Sequence, residues 1–167
     1  LKKVNAISVL VGAFPGGLPC LIGFAAGNDT IMTGEHGLKD LGGWALFAIQ
    51  FFWQFPHFWA IAWLAHKDYE AAGFKMLPSD QGPTKYSAVQ SIIYSVLLVP
   101  VGLLPYLIGL TGWVSLLIVL LANLGMIYLS IRLYTDMEKG AARKVMFGSY
   151  IYLMVVFFAL VADKIVV

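Results

Sequence analysis

The stretch Gln50-Phe51-Phe52-Trp53-Gln54-Phe55-Pro56-His57-Phe58-Trp59, "QFFWQFPHFW", decides how this chain folds. It lies inside an apolar run yet carries two glutamines, a proline and a histidine. At 100° per residue on a helical wheel, Gln50, Gln54, His57, Ile61, Leu64 and Asp68 fall within about 40° of one line. The pattern predicts a helix with one polar stripe turned away from lipid. Trp53 and Trp63 flank that stripe, and it ends in the carboxylate of Asp68.

Composition says what surrounds such a helix. Of 167 residues, 60% are hydrophobic and 12% are charged, and mean hydropathy is +0.81. Soluble domains carry about 25% charged residues, so this is the composition of an integral membrane protein. A net charge of +2 is too small to suggest nucleic acid. The lone Cys20 makes neither an internal disulfide nor a metal site. The first residue is Leu1 and no signal peptide is visible, so the chain reads as a fragment or a processed form.

A bilayer core of about 30 Å needs about 20 apolar residues in a helix. Five segments qualify, at about 5–26, 44–64, 89–110, 113–133 and 145–162. Lipid leaves no backbone group unpaired, and no run of alternating ten-residue strands is present, so helices are expected throughout. The expected fold class is an all-α polytopic bundle forming a single domain over 1–167. Pro15 and Pro19 flank Gly16 and Gly17, which predicts a kinked or broken first helix packed on protein at that point. Pro100 and Pro105 predict a bend in the third. Ser87, Ser91 and Ser95 form a small-residue stripe suited to close helix packing.

Five spans put the N-terminus and the loops at 65–88 and 134–144 on one side. Lys2, Lys3, Lys67, Lys75, Lys85, Arg132, Lys139, Arg143 and Lys144 lie there, against Lys39 and Lys164 on the other. The positive-inside rule makes the first side cytoplasmic.

Polar residues in the oil allow two readings. Helix packing accounts well for Gln50, because intramembrane glutamines bond to neighbouring helices. A cavity lining is the functional alternative for the ionisable His57. A free ring nitrogen there would suit a metal or a polar ligand. Asn123, Ser130 and Tyr134 share a face of the fourth span, where packing again competes with a cavity wall. The loop His66 to Tyr86 holds Asp68, Glu70 and Asp80 beside Lys67, Lys75 and Lys85. Carboxylates beside lysines at a membrane surface suit a Mg²⁺–diphosphate ligand, since Mg²⁺ takes one or two carboxylates plus phosphate oxygens. A solvated loop of mixed charge is the alternative. Asp29, Glu35, His36 and Asp40 in the Gly-rich loop at 27–43 match no standard metal spacing. The loop at 134–144 reads as an interfacial turn attracted to anionic lipid.

"GAFPGGLPCLIGFAA" and "WQFPHFWAIAWLAHKDYEAAGFKMLP", with the spans that follow, resemble the haem O synthase (protohaem IX farnesyltransferase) family of UbiA-type intramembrane prenyltransferases. The resemblance covers essentially the whole chain. It implies a helical enzyme of about nine spans in a bacterial inner membrane. It implies transfer of farnesyl from farnesyl diphosphate to a vinyl carbon of haem B, with Mg²⁺ as cofactor. Haem A synthase is then a candidate partner. The catalytic set it implies is Asp68, with Lys67 and Glu70 as weaker members, Asp68 holding Mg²⁺ through the diphosphate. The substrate-binding set is His57, Gln54, Trp53, Lys75 and Asn123, with His57 a candidate ligand of haem iron or partner of a propionate. The family's Asp-x-x-x-Asp pattern is only half present, because Ala72 stands four residues after Asp68. Its first aspartate-rich motif is absent. The chain is therefore expected to be the C-terminal five spans of such an enzyme and inactive alone. A quinone or chlorophyll prenyltransferase, a small transporter with broken helices and a non-catalytic membrane partner are the rival readings.

Overall fold

The computed structural model describes residues 7–28, 37–79 and 81–165. Leu1, Lys2, Lys3, Asp29, Glu35, His36 and Asp80, all named above, lie outside the described residues. The elements are α1 (Ile7–Asn28), a 3₁₀ turn (Gly37–Leu41), α2 (Gly42–Leu64), α3 (His66–Ala71), α4 (Lys85–Leu107), α5 (Trp113–Asp136) and α6 (Lys139–Ala162). The five long helices have 22 to 24 residues. At 1.5 Å per residue each is about 33–36 Å long, enough for a bilayer core. The fold class is all-α, as expected, with one isolated bridge between Thr111 and Lys164 among the described residues.

Four of these helices are also apolar enough to cross a membrane: α1 over Val9–Gly27, α4, α5 and α6. The expected count of five is corrected at α2. That helix is as long as the others, but Gln50, Gln54, Pro56 and His57 dilute its hydropathy. Its position in the bundle explains why. It packs against α1, α4 and α6, while α5 closes a ring by packing on α4 and α6. Fourteen of its 23 residues are buried, against seven in α4, six in α5 and eight in α6. A helix so covered by protein need not present an oily surface to lipid.

Helix ends overrun the expected spans because helices continue past the apolar segment. Helix α4 starts at Lys85 rather than near 89, after Thr84, whose Oγ1 accepts from the Ser87 N–H at 3.4 Å. Helix α6 starts at Lys139 rather than near 145, with Arg143 and Lys144 exposed on it. Helix α5 reaches Asp136, which pairs with Arg132 one turn back at 2.8 Å.

The prolines do not break the helices. Helix α1 runs through Pro15 and Pro19, and both are exposed. Gly16 and Gly17 lie against Gln54 and Phe47 of α2, so this segment does pack on protein. Helix α4 likewise runs through Pro100 and Pro105. Its small-residue stripe of Ser87, Ser91 and Ser95 is buried, and Leu98, Gly102 and Pro105 continue the buried line. Ser95 and Ser130 share a hydroxyl bond of 2.9 Å across to α5.

Each end of the bundle is tied differently. At one end, Ala60, Trp63, Ala88, Leu133, Ala141, Ala142 and Val145 form one cluster, and Lys85 Nζ sits 5.5 Å from the Tyr134 ring. The loops at 65–84 and around Met137 thus share this end. At the other end, the Gly112 N–H donates to Asp163 O at 3.0 Å, and the Ser115 N–H donates to Asp163 Oδ2 at 2.7 Å. A carboxylate there satisfies an unpaired N–H in the first turn of α5 and meets its positive dipole end.

The α4–α5 crossing gives the first prediction. A Cβ on Gly102 would approach Val119 Cγ1 to 2.7 Å and Asn123 Nδ2 to 2.8 Å, whereas one on Gly125 meets nothing within 4 Å. Glycine to alanine normally helps a helix. Gly102→Ala is expected to lose about 1–3 kcal/mol through overpacking, seen as a lower unfolding temperature in detergent, while Gly125→Ala holds or gains stability.

Candidate functional site

The polar stripe of α2 does not open onto one cavity. It divides between two neighbours. Gln54 donates from Nε2 to Ala13 O on α1 at 3.2 Å and to Gln50 O at 3.1 Å. His57, about 60° further round the helix, turns to α6, and its Nδ1 lies 2.8 Å from Ser149 Oγ. Trp53, one turn before His57, donates from Nε1 to Ser149 O at 2.7 Å. The Trp53 and His57 rings stack at 4.7 Å with 13° between planes. The Tyr150 ring meets the imidazole at 4.6 Å, edge to face. His57 is 5% exposed, and Gln54 and Trp53 are buried with it. Among the described residues, His57 Nε2 makes no hydrogen bond.

Sequence reasoning passed over Ser149 and Tyr150. The signal was there. Ala142, Val145, Ser149, Tyr152, Val156 and Ala159 are all buried at steps of 3, 4, 3, 4 and 3, the inward line of α6.

The stripe also stops before the carboxylates. Helix α2 ends at Leu64, and a turn at Ala65 (φ −96°, ψ 19°) starts the short helix α3. Asp68 is thus not a straight continuation of the α2 face. Lys67 and Asp68 are exposed. His66, Tyr69 and Glu70 instead line a cavity of about 210 Å³, closed by Gly73, Phe74, Lys75, Met76, Leu77, Ser79 and Ala62. Glu70 and Lys75 therefore come together here, and Lys67 and Asp68 do not join them. His66 Nε2 lies 3.8 Å from Glu70 Oε2. The loop returns through Gly73 (φ 69°) and Gly82 (φ 80°), and Gly82 backs directly onto the His66 ring. Only glycine adopts such angles without strain and allows so close an approach. Leu77, 4% exposed, anchors the loop beneath Tyr69 and Met76.

Among the described residues no three His, Cys, Asp or Glu side chains gather as a metal site. The donor set that does exist, exposed carboxylates at Asp68 and Glu70, fits an ion held mainly by a phosphate ligand rather than by a protein cage. Two larger apolar clefts, of about 400 and 440 Å³, include none of the candidate site residues.

Asn123 sits elsewhere, in the core between α4, α5 and α6. Its Nδ2 donates to Leu98 O at 3.1 Å and its Oδ1 accepts from the Tyr152 hydroxyl at 2.8 Å. Both ends of the amide are held by protein.

The model of the UbiA prenyltransferase family matches residues 1–160. A relative from Cytophaga hutchinsonii named protoheme IX farnesyltransferase is 44% identical over 99% of this chain and 55% of its own length. Relatives of the same name from Christiangramia forsetii and Flavobacterium johnsoniae are each 41% identical over 98% of this chain and 53% of their own lengths. The chain spans about half the length of the curated relatives it matches. No solved structure matches.

The second prediction concerns Asn123. Asn123→Leu leaves the buried Tyr152 hydroxyl without its partner, and a stability loss of about 1–3 kcal/mol is expected. It is measured as a drop in unfolding temperature in detergent. Unchanged stability with weakened ligand binding would instead assign the amide to a binding site.

Proposed function

The chain belongs to the UbiA prenyltransferase family, and from that premise we propose that the protein transfers farnesyl from farnesyl diphosphate to a vinyl carbon of haem B, giving haem O. The observation that carries this reading is the shared name and 41–44% identity of relatives aligned along nearly the whole chain. The four apolar helices make this a membrane protein. A bacterial inner membrane, with the end that bears α3 facing the cytoplasm, is the orientation that the excess of lysine and arginine supports.

In this reading the allylic carbon–oxygen bond breaks and its electron pair leaves with the diphosphate. The vinyl π electrons form the new bond at the terminal vinyl carbon, and the cation left on the carbon next to the porphyrin is captured by a water molecule, which loses a proton and leaves the hydroxyl of haem O. Asp68, exposed at the start of α3, is the carboxylate that would hold Mg²⁺ against the diphosphate, with Glu70 as a second. When bound, Mg²⁺ neutralises charge building on the leaving group. Lys67 and Lys75 are the cations that would face the remaining phosphate oxygens. Deeper in the bundle, the aromatic surface of α2 keeps water from an allylic cation. Trp53, Phe55 and Trp59 are buried there, and aromatic faces attract cations. His57 would meet the haem, through its iron or a propionate, with Gln54 and Trp53 holding its surroundings in place.

Asp68→Asn in the full-length protein is expected to lower turnover by about 10²-fold, the scale for losing one preorganised electrostatic group. The assay incubates farnesyl diphosphate, haem B and Mg²⁺ with the protein and detects haem O by mass. Full activity in the variant would remove Asp68 from the site, and no haem O from the unaltered protein would end the farnesyl-transfer reading.

A further inference from the structure

The Ser149 hydroxyl has one hydrogen and two close polar neighbours. Met146 O lies 2.6 Å away on the same helix, and His57 Nδ1 lies 2.8 Å away on α2. A carbonyl oxygen can only accept, so the hydroxyl hydrogen goes to Met146 O. The distance suits a short O–H···O bond, and back-bonding of this kind is common for serine inside helices. Ser149 Oγ must then accept from His57, which puts hydrogen on Nδ1. In a neutral imidazole that leaves Nε2 with its lone pair.

The ring is also held in orientation. Trp53 stacks on one face and Tyr150 meets it edge to face. Trp53 is itself fixed by its bond to the Ser149 backbone oxygen. One residue of α6 thus holds both members of the stacked pair, one through its side chain and one through its main chain.

Resting on the reading that His57 meets the haem, we infer that Ser149 is a positioning residue that fixes the His57 tautomer and makes Nε2 the atom offered to the substrate. The ligand chemistry follows. An unprotonated Nε2 binds an electron-pair acceptor such as porphyrin iron, and it cannot donate to a propionate. The same logic orients metal-binding histidines in general, where the second nitrogen's partner sets the tautomer.

The test uses the full-length protein in detergent with ¹⁵N-labelled histidine, the His57 signals being assigned by their loss in His57→Ala. The unaltered protein is expected to show Nε2 as an unprotonated nitrogen, and Ser149→Ala to shift it toward the protonated form. Ser149→Ala keeps the backbone oxygen that Trp53 uses, so the packing of α6 on α2 survives the change. A protonated Nε2 in the unaltered protein, or identical spectra in the two, would overturn the role of Ser149.

Haem B titration, followed in the Soret band, then separates the two claims. His57→Ala is expected to abolish the axial-ligand signature, and Ser149→Ala to weaken binding about tenfold, the usual scale for losing a residue that orients a ligand. Ser149→Thr, which keeps the hydroxyl, should restore it. An unchanged Soret band in His57→Ala would remove His57 from the haem site even with the tautomer confirmed. A change in His57→Ala but none in Ser149→Ala would leave His57 in place and remove Ser149.

Discussion

The arrangement of helices around α2 follows from one constraint: a polar group inside a membrane protein is costly unless the protein supplies it a partner. Helix α2 carries Gln54, His57 and the Trp53 indole through the middle of the bundle. Each needs a bond, and lipid offers none. The chain answers by surrounding α2 with three other helices. Ala13 O on α1 and Ser149 on α6 then become its partners. The ring of α2, α4, α5 and α6, with α1 laid against α2, is the arrangement that satisfies these groups. It also leaves the outer faces of α5 and α6 apolar and exposed, with Leu121 and Phe158 examples. The polar residues select the neighbours, and the apolar area sets the depth.

Much of the fold was legible because the rules that produce it are local. Helix length follows from bilayer thickness, and the inward serines of α4 follow from the 3.6-residue period. The errors were equally physical. Counting α2 among the apolar spans gave too little weight to its polar residues, which a helix packed against three others can carry. Of the kinked or broken first helix expected at Pro15 and Pro19, the break does not occur: α1 runs through both prolines. The paired glycines let α2 approach, and the exposed prolines leave the buried face intact. The apolar span expected from about 145 is only part of α6, which begins at Lys139 with exposed Arg143 and Lys144 ahead of that span.

The site was less legible, because it depends on which helices become neighbours. The wheel placed Gln54 and His57 on one stripe, and a 60° difference there looked trivial. In the bundle it is the difference between α1 and α6. Likewise the 4-3 rhythm carried Asp68 onto the same line as His57, but a single turn at Ala65 redirects α3. Glu70 and Lys75 then meet across a small cavity with His66, while Asp68 faces outward. Sequence spacing measures position along one helix. It carries no information on the partner at 92 residues' separation that completes the His57 bond.

Packing and function are usually set against each other as readings of a buried polar residue. If His57 meets the haem as proposed, its two ring nitrogens make the two readings compatible. A histidine has two ring nitrogens, and a bond to one fixes the proton on the other. The Nδ1 bond to Ser149 is packing in every sense: it is buried, short and joins two helices. Yet the same bond decides what Nε2 can do. Asn123 shows the contrast, since its carbonyl and amide ends are each bonded to a neighbouring helix. What separates a structural polar residue from a functional one is therefore not burial or bonding. It is whether the network that holds the side chain leaves one of its polar atoms unused, and in a defined protonation state.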